Sequence, residues 1–260
     1  MTDPRSLTDI VAALDGELRT ADIADYGGAH NGLQVSNRGG VRRVATAVDA
    51  SRDAIRDAAA MGANLLIVHH GLFWGGAQPI VGITYDRLQL LFAHDIALYS
   101  THLPLDCHPT LGNNVRLAQA LELEPSDGFA QHKGFAIGVR GAADIDTAAL
   151  VARTRTFAES YGGSVRTSLP PQGRRTTQWA MCTGGGANSD TLREAYALGV
   201  DTLIVGEGPH HTAVDAIEHD LCVIYAGHYA TETLGVQALG DWLERMFGLP
   251  HAFVRRPTGL

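Results

Sequence analysis

Two adjacent histidines, His69 and His70, close an apolar run that begins at Asn64. Imidazoles at the end of a buried strand can bind a metal or move a proton. Neighbouring residues of an extended strand point to opposite faces, so the pair is suited to two ions or two walls of a cleft rather than to chelating one ion. A lone strand-end histidine is commonly structural, and the metal reading therefore needs partners. Two further segments supply them. The run Ala97–Ser100 leads into Thr101-His102-Leu103-Pro104-Leu105-Asp106, and Cys222–Ala226 leads into Gly227-His228-Tyr229-Ala230-Thr231-Glu232. In each, a histidine is followed by a carboxylate four residues on. Imidazoles mixed with carboxylates suit Zn, Fe, Mn, Co or Ni, whereas Ca and Mg prefer oxygen shells. The set His69, His70, Asp106, His228 and Glu232 is too large for one tetrahedral ion. It suits two divalent transition-metal ions that share a carboxylate and keep positions open for water or substrate.

Ligands of open α/β sheets bind outside the carboxyl ends of strands, and the elements around these donors follow that plan. A strand at Val44–Val48, a helix at Ser51–Met61 and the strand reaching His70 make a right-handed βαβ unit. Pro104 is expected to forbid helix and leave Asp106 on a loop. Residues after Gly227 read as one helix through Phe247, with Glu232 in its first turn. The turn chemistry of Pro125-Ser126-Asp127-Gly128 marks a boundary. The expectation is an α/β fold of two α/β domains, residues 1–125 with 228–260 and residues 126–227, with the metal cleft between them. Asp49 is read as the start of a βα turn, or else as a group orienting a metal-bound imidazole. The glycines Gly184, Gly185 and Gly186 precede a helix capped by Ser189-Asp190 and could cradle an anionic substrate, though such a turn also simply joins strand to helix. His102, Glu207 and His210 are the candidates for acid–base work. The bland reading of His210 and His211 is an exposed pair opening a helix after Pro209.

The 260 residues carry a formal charge of −8 with no basic stripe, which excludes general binding to nucleic acid or an anionic membrane. No apolar run approaches membrane-spanning length, and no signal peptide is evident. Cys107, Cys182 and Cys222 form no paired framework, as expected of a cytoplasmic protein.

Asn31-Gly-Leu-Gln-Val, the double histidine followed by Gly71-Leu72-Phe73, the Thr101-His102 segment ending at Asp106, and Gly227-His-Tyr-Ala-Thr-Glu232 together resemble the NIF-three-like family of dinuclear metal-centre proteins. Its members are named GTP cyclohydrolase 1 type 2 homologues. The resemblance spans nearly the whole chain and is closest to the short form of the family. Gly71 stands where the family commonly has proline. The resemblance implies His69, His70, Asp106, His228 and Glu232 as metal ligands, Glu232 as the bridge, and His102 as a cleft residue outside the ligand set. It also implies a toroidal homohexamer built as a trimer of dimers. Two functions follow as expectations: a metal-dependent hydrolase of a nucleotide or related small phosphate or cyclic amide compound, like a GTP cyclohydrolase, or a non-catalytic metal-binding or iron-delivery protein acting through partners.

Overall fold

Uninterrupted runs of aliphatic residues form the central strands, because a strand covered on both faces has no polar side to alternate with. Val44–Asp49 and Leu65–His70 are buried at every position except the last. The computed structural model describes residues 4–76 and 78–260. These fall into two compact units, Met1–Leu111 with Gly235–Arg256, and Gly112–Leu234 with Pro257–Leu260.

In the first unit a five-stranded sheet runs in the order His251–Phe253, Val44–Asp49, Leu65–His70, Ala97–Ser100, Gly32–Val35. The first four strands are parallel and the last is antiparallel. Alternate residues of one strand serve opposite faces. Leu65 and Ile67 pack with Ile10, Leu14, Leu239 and Leu243, while Leu66 and Val68 pack with Ile55, Ala58 and Leu91. Register brings Asp49 opposite His70.

The second unit repeats the principle with a six-stranded sheet, ordered Asp127–His132, Phe135–Asp146, Arg175–Cys182, Thr202–Val205, Cys222–Tyr225, Arg166–Thr167. Its three central strands from Arg175–Cys182 to Cys222–Tyr225 are parallel. Trp179, Met181, Ile204 and Ile224 face Leu117, Leu121 and Leu150, and Ala180, Leu203 and Val205 face Leu192, Ala195 and Ala216.

Several expectations are corrected. The boundary falls at residue 111 rather than 125, because the helix Asn113–Ala120 packs through Leu117 and Ala118 on the second sheet. It also falls at 234 rather than 227, which puts His228 and Glu232 in the second unit. Pro104 does not exclude helix: Leu103–Asp106 forms one turn with the proline at its start, where a missing N–H costs nothing. The helix expected after Gly227 is two, His228–Thr231 and Thr233–Phe247, interrupted at Glu232 with φ −107° and ψ 10°. Asn188, not Ser189, caps Ser189–Ala197, its side chain accepting from the amides of Asp190 and Thr191. Among the described residues no helix is long and apolar enough to cross a membrane.

Candidate metal centre

The strand Leu65–His70 delivers His69 and His70, and the segment after Ala97–Ser100 delivers His102 and Asp106. Each imidazole is anchored through the same nitrogen. His69 Nδ1 lies 2.9 Å from the Thr101 carbonyl, which can only accept, so this nitrogen carries the proton. His70 Nδ1 meets Asp49 Oδ1 at 2.9 Å, and His102 Nδ1 meets Asp25 Oδ1 at 3.0 Å. An imidazole held at Nδ1 by an acceptor presents Nε2 as its basic nitrogen, the arrangement by which proteins orient metal-binding histidines. One donor atom from each of His69, His70 and His102 lies within 4.8 Å of the others. Asp106 is buried, with Oδ2 3.6 Å from His69 Nε2. Burial and then the charges of Asp106 and Asp25 push the neighbouring Cys107 thiol up to about 12.

The second unit holds its own donor pair. His228 opens the helix His228–Thr231, and Glu232, buried, lies just beyond that helix. His228 repeats the pattern: Nδ1 meets Glu207 Oε1 at 2.8 Å, and Nε2 faces Glu232 Oε2 at 3.2 Å. Burial opposes a charge on His228, but hydrogen bonds and the charges of Glu232 and Glu207 prevail and raise it to about 9. The site therefore favours a cation.

Room for this pair comes from Gly184. Its φ is +62°, and a Cβ there would overlap Glu232 Oε1 and stand 3.2 Å from His228 Nε2. The Gly184 amide donates to Thr231 Oγ1 at 3.0 Å, so the glycine turn serves packing rather than offering that amide to an anion. Gly186 is equally confined, since a Cβ there would overlap the Cys182 carbonyl, whereas Gly185 is exposed. Glu207 thus sits beside His228, while His210 and His211 are exposed in the first turn of His210–Glu218.

Sequence reasoning missed the residues that hold the first cluster in place. Asp25 Oδ2 accepts from the Leu103 amide and from Asn31 Nδ2, and Asn31 Oδ1 accepts from the His102 amide. Gln34 Oε1 accepts from the Leu72 amide at 2.7 Å, and its amide group fills the space a Cβ on Gly71 would need. The Asn31–Val35 segment was legible only as a motif. Its chemistry lies in contacts to segments far along the chain.

These donors fit a metal: imidazoles anchored at Nδ1, each group with a carboxylate on its Nε2 side, and a glycine cradle with no spare volume around Glu232. The family model for Duf34/NIF3 (NGG1p interacting factor 3) matches residues 6–258. The chain belongs to the DUF34/NIF3 family. Among its DUF34/NIF3 relatives, the GTP cyclohydrolase 1 type 2 homolog of Halobacterium salinarum is 41% identical over 260 residues, covering 98% of this chain and 99% of the relative. Two solved structures share the fold over 98% of this chain and all of theirs: protein ybgI, of unknown function, at 33% identity and TM-score 0.87, and a protein from Thermus thermophilus at 36% and 0.83.

Proposed function

We propose that this chain is a dinuclear metal-dependent hydrolase acting on a nucleotide or a related phosphate or cyclic amide compound. Four imidazoles share anchoring through Nδ1, with a carboxylate placed on the Nε2 side of both His69 and His228. Anchoring at Nδ1 alone is shared by His219 and His251, so what carries the reading is that these anchored imidazoles converge, one donor atom from each of His69, His70 and His102 lying within 4.8 Å of the others. His69, His70, Asp106, His228 and Glu232 are proposed as the residues that would hold two divalent transition-metal ions, with Glu232 shared between the ions. Bound ions would supply an activated water and a clamp on a phosphoryl or carbonyl oxygen.

The remaining groups have work of their own. His102, held at Nδ1 by Asp25, would take or give a proton at Nε2 without leaving its place, because both its ring and its backbone amide are tied. Glu207 would fix the His228 tautomer, and Asp49 that of His70. The name borne by the relatives points the same way, towards hydrolytic opening of a purine nucleotide ring. We further propose a cytoplasmic homohexamer, a toroidal trimer of dimers. Large apolar side chains exposed between Ile80 and Phe92, namely Ile80, Val81, Ile83, Tyr85 and Phe92, are suited to contacts between copies.

The decisive experiment is elemental analysis of tag-free protein purified without chelator, beside Glu232→Ala and His102→Ala. About two ions per chain are expected in the native protein, loss of both in Glu232→Ala with the fold retained, and full metal with lost GTP hydrolysis in His102→Ala. Unchanged metal in Glu232→Ala overturns the bridging role. Bound metal with no turnover of GTP or phosphoesters overturns the hydrolase and favours a carrier. Sedimentation should give six chains of 27.6 kDa.

A further inference from the structure

Beside the first histidine cluster, the loops at residues 26–30 and 73–76 enclose a cavity of about 340 Å3, lined by Gly28, Ala29, His30, Phe73 and Gly76. The two loops are tied to each other. Ala29 and Trp74 form an antiparallel bridge, and a Cβ on Gly28, whose φ is +98°, would stand only 2.9 Å from Gly75 Cα. Backbone therefore approaches backbone directly at that point, which fixes the two loops against each other beside the cavity.

Both loops also carry exposed aromatic rings where burial would ordinarily be favoured. Tyr26 is 47% exposed and Trp74 40%. Their ring centroids lie 5.9 and 4.8 Å from that of His102, and Trp74 is 5.6 Å from His70. Half-exposed aromatic rings gathered at the rim of a site mark a surface that a ligand completes. The lining chemistry narrows that ligand. Phe73 offers a π-face, His30 offers ring nitrogens, and the glycines permit close approach of a flat group. Among the described lining residues the side chains are apolar or imidazole.

We propose that this cavity binds a planar heteroaromatic ring, with Phe73 as the stacking face and His30 as the hydrogen-bonding edge. A nucleobase is one ring of this kind. That the ligand's reactive part reaches the histidines rests on the hydrolase reading above; the ring-binding step does not.

The test is calorimetric titration of guanosine into the protein as purified, with metal content measured on every sample. Guanosine is expected to bind, and ribose 5-phosphate at equal concentration to leave that binding unchanged. Phe73→Ala and Phe73→Leu should each weaken guanosine by about tenfold or more, the usual scale of a lost base–aromatic stack, and Phe73→Tyr should stay within about threefold of the native protein. Metal content should be native in all three. Phe73→Leu keeps the apolar bulk, so a loss there reports the π-face rather than collapse of the loop. Failure of the native protein to bind guanosine, or equal binding by Phe73→Leu, overturns the proposal. Guanosine binding that persists in Glu232→Ala, with no hydrolysis by the native protein, would leave the cavity assigned and remove only the hydrolase.

Discussion

Asp25 is the residue on which the first cluster depends most. Its carboxylate takes donors from His102 Nδ1, Asn31 Nδ2 and the amides of Tyr26 and Leu103. Burial alone would push its carboxyl up; the hydrogen bond and charge of His102, with Asn31 and the Tyr26 amide, more than offset that and hold it well below the usual range. A carboxylate depressed on folding stabilises the native state above its ordinary value of 3.8, and this contribution is lost as pH falls through the native value. Asp25→Asn should therefore cost about 1–3 kcal/mol at pH 7, the scale of hydrogen bonds to a buried charge, and the penalty should shrink on acidification towards pH 3. Urea midpoints at both pH values measure it; an equal penalty at the two would show that charge is not what Asp25 contributes. The donors themselves were legible, because histidine and carboxylate at strand ends have few competing roles. Their anchors were not. Asp25 and His102 stand 77 residues apart, and no local pattern announces that pairing. Asp49 was visible as a strand-end residue, but only the parallel register that sets it opposite His70 chooses between a turn and an imidazole partner.

At the scale of elements, strands that are apolar throughout were read nearly residue for residue: Ala97–Ser100 stands as expected, and Leu65–His70 begins one residue late. The two-sided burial that makes such a strand also leaves an unambiguous run. Gly32–Val35 is not legible as a strand because its glycine and glutamine suit a turn equally well, while its real determinant is antiparallel pairing to Ala97–Ser100. The break at Glu232 escaped because nothing in Ala230-Thr-Glu-Thr233 forbids helix; it is the bridge-region backbone of Glu232 that ends one helix and begins another. Helix starts were easier. Ser51 Oγ accepts from the Ala54 amide at 3.1 Å, as its sequence position implied. Ser51→Ala should lower stability by about 1 kcal/mol and the melting temperature by roughly 2–4 °C. No shift in the melting curve would mean that the Arg52–Ala60 helix is held by its packing alone.

For the whole molecule, two sheets each covered on both faces account for the α/β class, and apolar side chains fill both cores. Those apolar contacts are expected to suffice for folding without metal. Chelated protein should keep its far-ultraviolet circular dichroism and melt cooperatively, with added metal raising the midpoint in proportion to the logarithm of its free concentration. An unfolded chelated protein would show that the metal is structural. The division into units does not follow the local composition. Pro125–Gly128 has the composition of a linker but only joins a helix to a strand inside the second unit, because Leu117 and Leu121 before it and Trp179 after it share one core.

Gly184 has a consequence for descent as well as for chemistry. An alanine there would leave every donor of the chain in place by name and yet set a methyl group on the Glu232 carboxylate. A lineage could thus retain all of its histidines and acids and still lose the ability to hold an ion, through the gain of one carbon atom.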